Sequence, residues 1–89
     1  MNMERVIFCS EGDGIIAVFP QTRWDRVGNL TAYDGQHGPV SQSYFQSLPI
    51  IQDPKEYLKL KNELLSLGYR LLVLNDKPTT VLRNTLKTR

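Results

Sequence analysis

The sequence predicts an α+β domain: a small, mainly antiparallel sheet in the order β-β-β-α-β, packed on one main helix. Three observations predict it. Two β-prone apolar runs, RVIFCS and GIIAVFP, flank a Gly-Asp-Gly turn near the N-terminus. A later stretch, DPKEYLKLKNELLSLG, spaces its apolar residues at three- and four-residue steps between a start and a stop signal. A last apolar run, YRLLVL, follows that stop.

Val6, Ile7, Phe8 and Cys9 make the first strand, and Ile15, Ile16, Ala17, Val18 and Phe19 the second. Glu11-Gly12-Asp13-Gly14 supplies residues that tolerate positive φ in a tight turn. Pro20 cannot donate to a ladder, so the second strand is expected to end there or to lie at an edge. Both runs are continuously apolar, so each strand is expected to meet the core on one face and a helix or a partner on the other. TRWDRVGNL reads as a loop, and residues 30–36 as a third strand with Leu30 and Ala32 on one side. Next come the only histidine, His37, and an irregular stretch to Ile51 in which residues 43–47 fit one helical turn.

The helix over residues 54–67 has the strongest signals. Asp53 is a good N-cap, Pro54 suits the first helical position and Glu56 completes a capping box. Tyr57, Leu60, Leu64 and Leu67 form the apolar stripe, and Gly68 can adopt the left-handed conformation that ends the helix. The final strand places Leu71 and Val73, with Tyr69, on one face.

Eighty-nine residues make one small domain, read as residues 1–76 with a basic, flexible tail over 77–89. Leu82 and Leu86 would fit a short helix within that tail. The chain is too short for separate cofactor and substrate domains. No apolar run approaches the roughly 20 residues that span a bilayer, and no signal-peptide pattern opens the sequence. Cys9, alone and inside an apolar run, reads as a buried, reduced thiol of a cytoplasmic protein. The net charge of +2 is uneven: residues 1–76 hold seven Lys/Arg and nine Asp/Glu, while residues 77–89 hold four cations and no acid. That distribution argues against a nucleic-acid face on the body and leaves only the tail for such contact.

No metal-binding, phosphate-binding or dinucleotide motif is present, so no metal, no cofactor and no catalytic residue is assigned. Two segments carry the candidate binding residues. In YDGQHG, His37 could serve as a base oriented by Asp34 or Glu11, with hydroxyls from Ser41, Ser43 or Tyr44. The plainer reading makes Gly35 and Gly38 turn glycines and His37 a local packing group. In RWDR, Trp24 between Arg23 and Arg26 has the composition of a contact site, the plainer reading being a tryptophan folded over the sheet edge. Tyr33, Gln36, Tyr44 and Phe45 join the candidate set, because the aromatics exceed what one short helix can cover.

Three stretches together, RVIFCSEGDGIIAVFP, YDGQHG and DPKEYLKLKNELLSLGYRLLVL, resemble a family of small uncharacterised proteins found in bacteria, their plasmids and their phages. The family pattern is a V-I-F-R hairpin ending in A-L-F-P, a G-Q-H segment and an E-Y-x-x-L-x-x-E-L helix leading to G-Y. It maps onto Val6-Ile7-Phe8, Ala17-Val18-Phe19-Pro20, Gly35-Gln36-His37, Glu56-Tyr57, Leu60, Glu63-Leu64 and Gly68-Tyr69. Cys9 stands where the family has arginine, and Val18 where it has leucine. The match covers most of residues 5–74 and is loose over 21–32. It implies the same element order, draws attention to the G-Q-H segment, and carries no activity. Its setting implies an accessory protein that binds and blocks a host or defence component.

The resulting expectation is a non-enzymatic binding protein that contacts an unknown protein partner, with a homodimer formed through the hairpin strands as a second association. The alternative is a small-ligand or nucleotide binder, with or without catalysis, centred on residues 35–39. Convergence of Asp34, His37 and Arg23 in a pocket would favour the alternative. A flat surface with Trp24 and Phe45 exposed would favour the protein partner.

Overall fold

The computed structural model describes residues 3–78. The elements are β1 (Glu4–Glu11), β2 (Gly14–Arg23), β3 (Leu30–Tyr33), β4 (His37–Val40), α1 (Gln42–Ser47), α2 (Pro54–Ser66) and β5 (Leu71–Val73). The fold is α+β, with a five-stranded sheet in the order β4-β3-β2-β1-β5. Every strand pair is antiparallel except β1 with β5, which is parallel. The expected shape gains a fourth strand, because the chain turns at residues 34–36 and His37 already pairs with Tyr33.

Residues 12 and 13 make the hairpin turn, with Gly12 at φ +58°, the conformation the first central position of a II′ turn requires. Pro20 ends nothing and lies at no edge: β2 runs through it to Arg23 and is the central strand. The β2–β3 register shifts between Phe19 and Arg23, so the missing proline N–H falls where the ladder is already interrupted.

Alternation along β1 and β2 sends side chains to two separate cores. Ile7, Cys9, Ile16 and Val18 face one side, where Phe45 of α1 and Leu48 cover them. Val6, Phe8, Ala17 and Phe19 face the other, under Tyr57 and Leu64 of α2. The apolar runs are thus explained by helices on both faces rather than by a partner. The outer edge of β1 is also taken. β5 pairs with Glu4–Val6, and the segment after α1 runs beside Phe8 to Ser10, with Ser10 N–H donating to Pro49 O at 2.9 Å and Ile51 N–H to Phe8 O at 2.8 Å. The hairpin strands therefore offer neither an edge nor a face for a dimer, and the outermost strands are β4 and β5.

In α2, Asp53 accepts from Lys55 N–H at 3.0 Å, and Tyr57 stacks on Phe8 with ring centres 4.1 Å apart. Leu67 is not part of the buried stripe: the helix ends at Ser66, Leu67 is its C-cap, and its side chain is exposed. Gly68 follows at φ +104°. Lys77 belongs to the folded body rather than to a tail. Its ammonium donates to the carbonyls of Gln46 and Leu48 at the end of α1 and lies 5.2 Å from the Phe45 ring centre. The helix considered around Leu82 and Leu86, and the cations Arg83, Lys87 and Arg89, lie outside the described residues. No described helix is long and apolar enough to cross a membrane.

Candidate functional site

The β2–β3 connection is a loop with its own internal order. Trp24 N–H donates to Asn29 O at 2.7 Å and closes it. Inside, the Asp25 carboxylate accepts from Asn29 Nδ2 at 2.8 Å, Asn29 N–H at 3.0 Å and Val27 N–H at 3.2 Å. These bonds, the Asn29 side chain first, hold the Asp25 carboxyl below the usual range. Gly28 takes φ +99°, and its carbonyl accepts from Gln42 Nε2 at 2.8 Å, which ties the loop to α1. The result is a presented tip: Trp24 is 46% exposed and Val27 85%, flanked by the exposed Arg23 and Arg26.

His37 lies at the opposite end of the sheet. Gly35, at φ +120°, makes the turn before it, whereas Gly38 has ordinary strand backbone with open space above it. His37 Nε2 and the Tyr69 hydroxyl are 2.7 Å apart, and the His37 ring tilts against Tyr33 at 4.8 Å. Tyr69 stacks on Phe19 at 5.1 Å, and the Tyr33 hydroxyl donates to the Glu63 carboxylate. That last bond raises the Tyr33 hydroxyl above its ordinary range, and burial does the same for Tyr69. His37 thus fastens the outermost strand β4 to the chain segment after α2. An open recess of about 170 Å³ lies beside it, lined by Ile16, Ala32, Asp34, Gln36 and Gly38 among others.

The nine candidate residues divide into separate places. Arg23, Trp24 and Arg26 gather at one end of the sheet, and Asp34, Gln36 and His37 at the other. Arg23 is level with Leu30 and His37 with Tyr33, so the length of β3, about 10 Å, separates them, and no Asp34–His37–Arg23 pocket forms. Tyr33 and Phe45 are buried in opposite cores and present no contact surface. Tyr44 is exposed, but its hydroxyl donates to Glu11 at 2.7 Å. Ser41 caps α1 by accepting from Tyr44 N–H at 3.1 Å, so the hydroxyls considered for His37 are engaged elsewhere. Cys9 is buried, and that burial pushes its thiol up to about 11, which removes it as a nucleophile at neutral pH. Among the described residues, no group of three or more His, Cys, Asp or Glu could hold a metal ion.

Sequence reasoning missed two members of the Trp24 end. Arg5, the second residue of β1, lies beside the end of β2, its guanidinium donating to Gln21 Oε1 at 3.1 Å. Arg70 precedes β5, and its carbonyl accepts from Glu4 N–H at 2.6 Å. The β1–β2 hairpin sets Arg5 beside the end of β2, whereas no local signal could have joined Arg70 to Arg23, because that takes the parallel pairing of β5 with β1. No family model matches the chain, and no curated protein or solved structure matches it.

Proposed function

We propose that the protein is a small non-enzymatic binding module that acts through contact with another protein, and that the β2–β3 loop is its contact element. The observation that carries the reading is the pairing of order with exposure: Asp25 fixes the loop from within while Trp24 and Val27 stand out from it. An apolar side chain held in one conformation loses little entropy on binding, and Trp and Arg are the residues that most often dominate interface energy. A reduced, buried Cys9 fits a cytoplasmic setting. The resemblance to small proteins of phages and plasmids supports a role as an accessory protein that blocks a host or defence component.

The test places a photo-crosslinking amino acid at Val27 and captures partners in the native host. A discrete protein adduct, lost in a Trp24→Ala variant that melts with the parent, supports the reading. Adducts unchanged by Trp24→Ala would remove the loop from the contact. The recess beside Asp34, Gln36 and His37 keeps a small-ligand reading alive. A thermal shift with a nucleotide or metabolite, abolished by His37→Ala, would favour it.

A further inference from the structure

We infer that the Trp24 end of the sheet docks an acidic, amphipathic segment of a partner protein, whose carboxylates meet the arginines and whose apolar side chain enters the recess beside Leu72. This rests on the binding-module reading and names the chemistry of the partner.

The topology sorts charge along the strands. β1 and β5 begin at one end of the sheet, where β2 also finishes and β3 starts. Arg5, Arg23, Arg26 and Arg70, all the arginines of residues 1–76, sit at that end and are exposed. Glu11 at the end of β1, Asp13 in the hairpin turn and Asp34 in the β3–β4 turn lie toward the far end. Two acids share the arginine end, and both are tied inward: Glu4 accepts from the Thr22 hydroxyl, and Asp25 is held by Asn29 and Val27.

Apolar surface is exposed among these cations. Besides Trp24 and Val27, Met3 is 53% exposed and Leu72 41%. An open recess of about 440 Å³ lies between them, walled by Met3, Glu4, Arg5, Gln21 and Leu72. Arginine, tryptophan and methionine with apolar neighbours make the composition of a protein interface. Val27, Met3 and Leu72 offer nothing to a phosphate backbone, and one tryptophan is a short platform for stacked bases. The chain's own C-terminus is a poor occupant, since residues 79–89 carry Arg83, Lys87 and Arg89 and no acid. The acidic end of a second copy has the right sign, but Glu11 is engaged by Tyr44, and the Gly12–Asp13–Gly14 turn has no apolar anchor for the recess.

Fluorescence anisotropy on the full chain tests this with four labelled probes. Three are short peptides with one leucine and phenylalanine spacing and glutamate, glutamine or lysine between, and the fourth is an oligothymidine. The glutamate peptide is expected to bind about tenfold tighter than the glutamine peptide, the sum of several weak exposed pairs, with the preference fading at high salt. An Arg23→Gln, Arg70→Gln variant, with an unchanged melt, should lose that preference. Trp24→Ser with Leu72→Ser should weaken the glutamate and glutamine peptides together. Equal binding of those two peptides overturns the charge assignment, and while Val27 crosslinks persist it leaves the binding-module reading standing. Preference for the oligothymidine, no binding of any probe, or self-association abolished by the arginine variant each overturns the proposal.

Discussion

Gly35 holds a φ of +120°, where any L side chain is strained however much room surrounds it. Gly35→Val is expected to cost about 1–3 kcal/mol. Gly38→Val should cost nothing measurable, because Gly38 lies in ordinary strand backbone that a β-branched residue favours. Denaturant midpoints of the two variants, measured side by side, check the contrast. The sequence shows two equivalent turn glycines, since only the pairing of His37 with Tyr33 reveals that the turn has ended before Gly38. His37→Ala removes one exposed hydrogen bond, to Tyr69, and should cost no more than about 1 kcal/mol. Alkaline behaviour also belongs to single residues. The fold keeps Cys9 protonated from its ordinary 9.0 up to about 11, and Tyr33, Tyr44 and Tyr69 are raised as well. The unfolded chain therefore releases these protons first. Stability from this source is complete below pH 9 and falls as pH climbs toward about 11, which a denaturation series across that window will show.

Periodicity located α2 well and its end less well. Leu64 is fully buried, so Leu64→Ala should cost roughly 2–5 kcal/mol, whereas the exposed Leu67 should cost almost nothing. A three-residue step from Leu64 to Leu67 looks the same in the sequence whether or not the helix continues, and here it has stopped at Ser66. The β2–β3 loop was legible as a loop but not as an ordered one, since the capture of Asn29 and Val27 by Asp25 depends on backbone geometry. Asp25→Ala should leave the global melt nearly unchanged while amide exchange in residues 24–29 accelerates, because the loop contributes little to either core. At the other end of the chain, Lys77 closes the last turn of α1 by donating to Gln46 and Leu48. A chain ending at Asp76 should still fold cooperatively but lose about 1–2 kcal/mol, read from its denaturant midpoint.

At the scale of the whole molecule, the α+β class, the hairpin, the third strand and the main helix follow from residue type and period. Two things do not. The second core escaped because the central runs of β1 (residues 6–9) and β2 (residues 15–19) are apolar at every position, which leaves no alternation to assign a face, and because α1 is only six residues long. Part of the candidate site escaped because it is a product of topology: Arg23 and Arg26 are neighbours in the sequence, but Arg5 joins them through the β1–β2 pairing and Arg70 only when β5 lies beside β1. The two covered faces of the sheet also dispersed the aromatic candidates, sending Tyr33 beneath α2 and Phe45 beneath the other face.

The parallel pairing of β5 with β1 also sets a timetable. As the chain is synthesised, β1 to β4 can zip together through neighbours close in sequence. The outer rim of Glu4–Val6 has to wait for Leu71–Val73, which are made after the rest of the sheet. Until then the nascent protein carries an unfinished β rim next to its most apolar strand, the kind of rim that recruits other chains. A product clipped before residue 68 would keep four strands and both helices and still be the species most prone to clump, so β5 protects what β1 began.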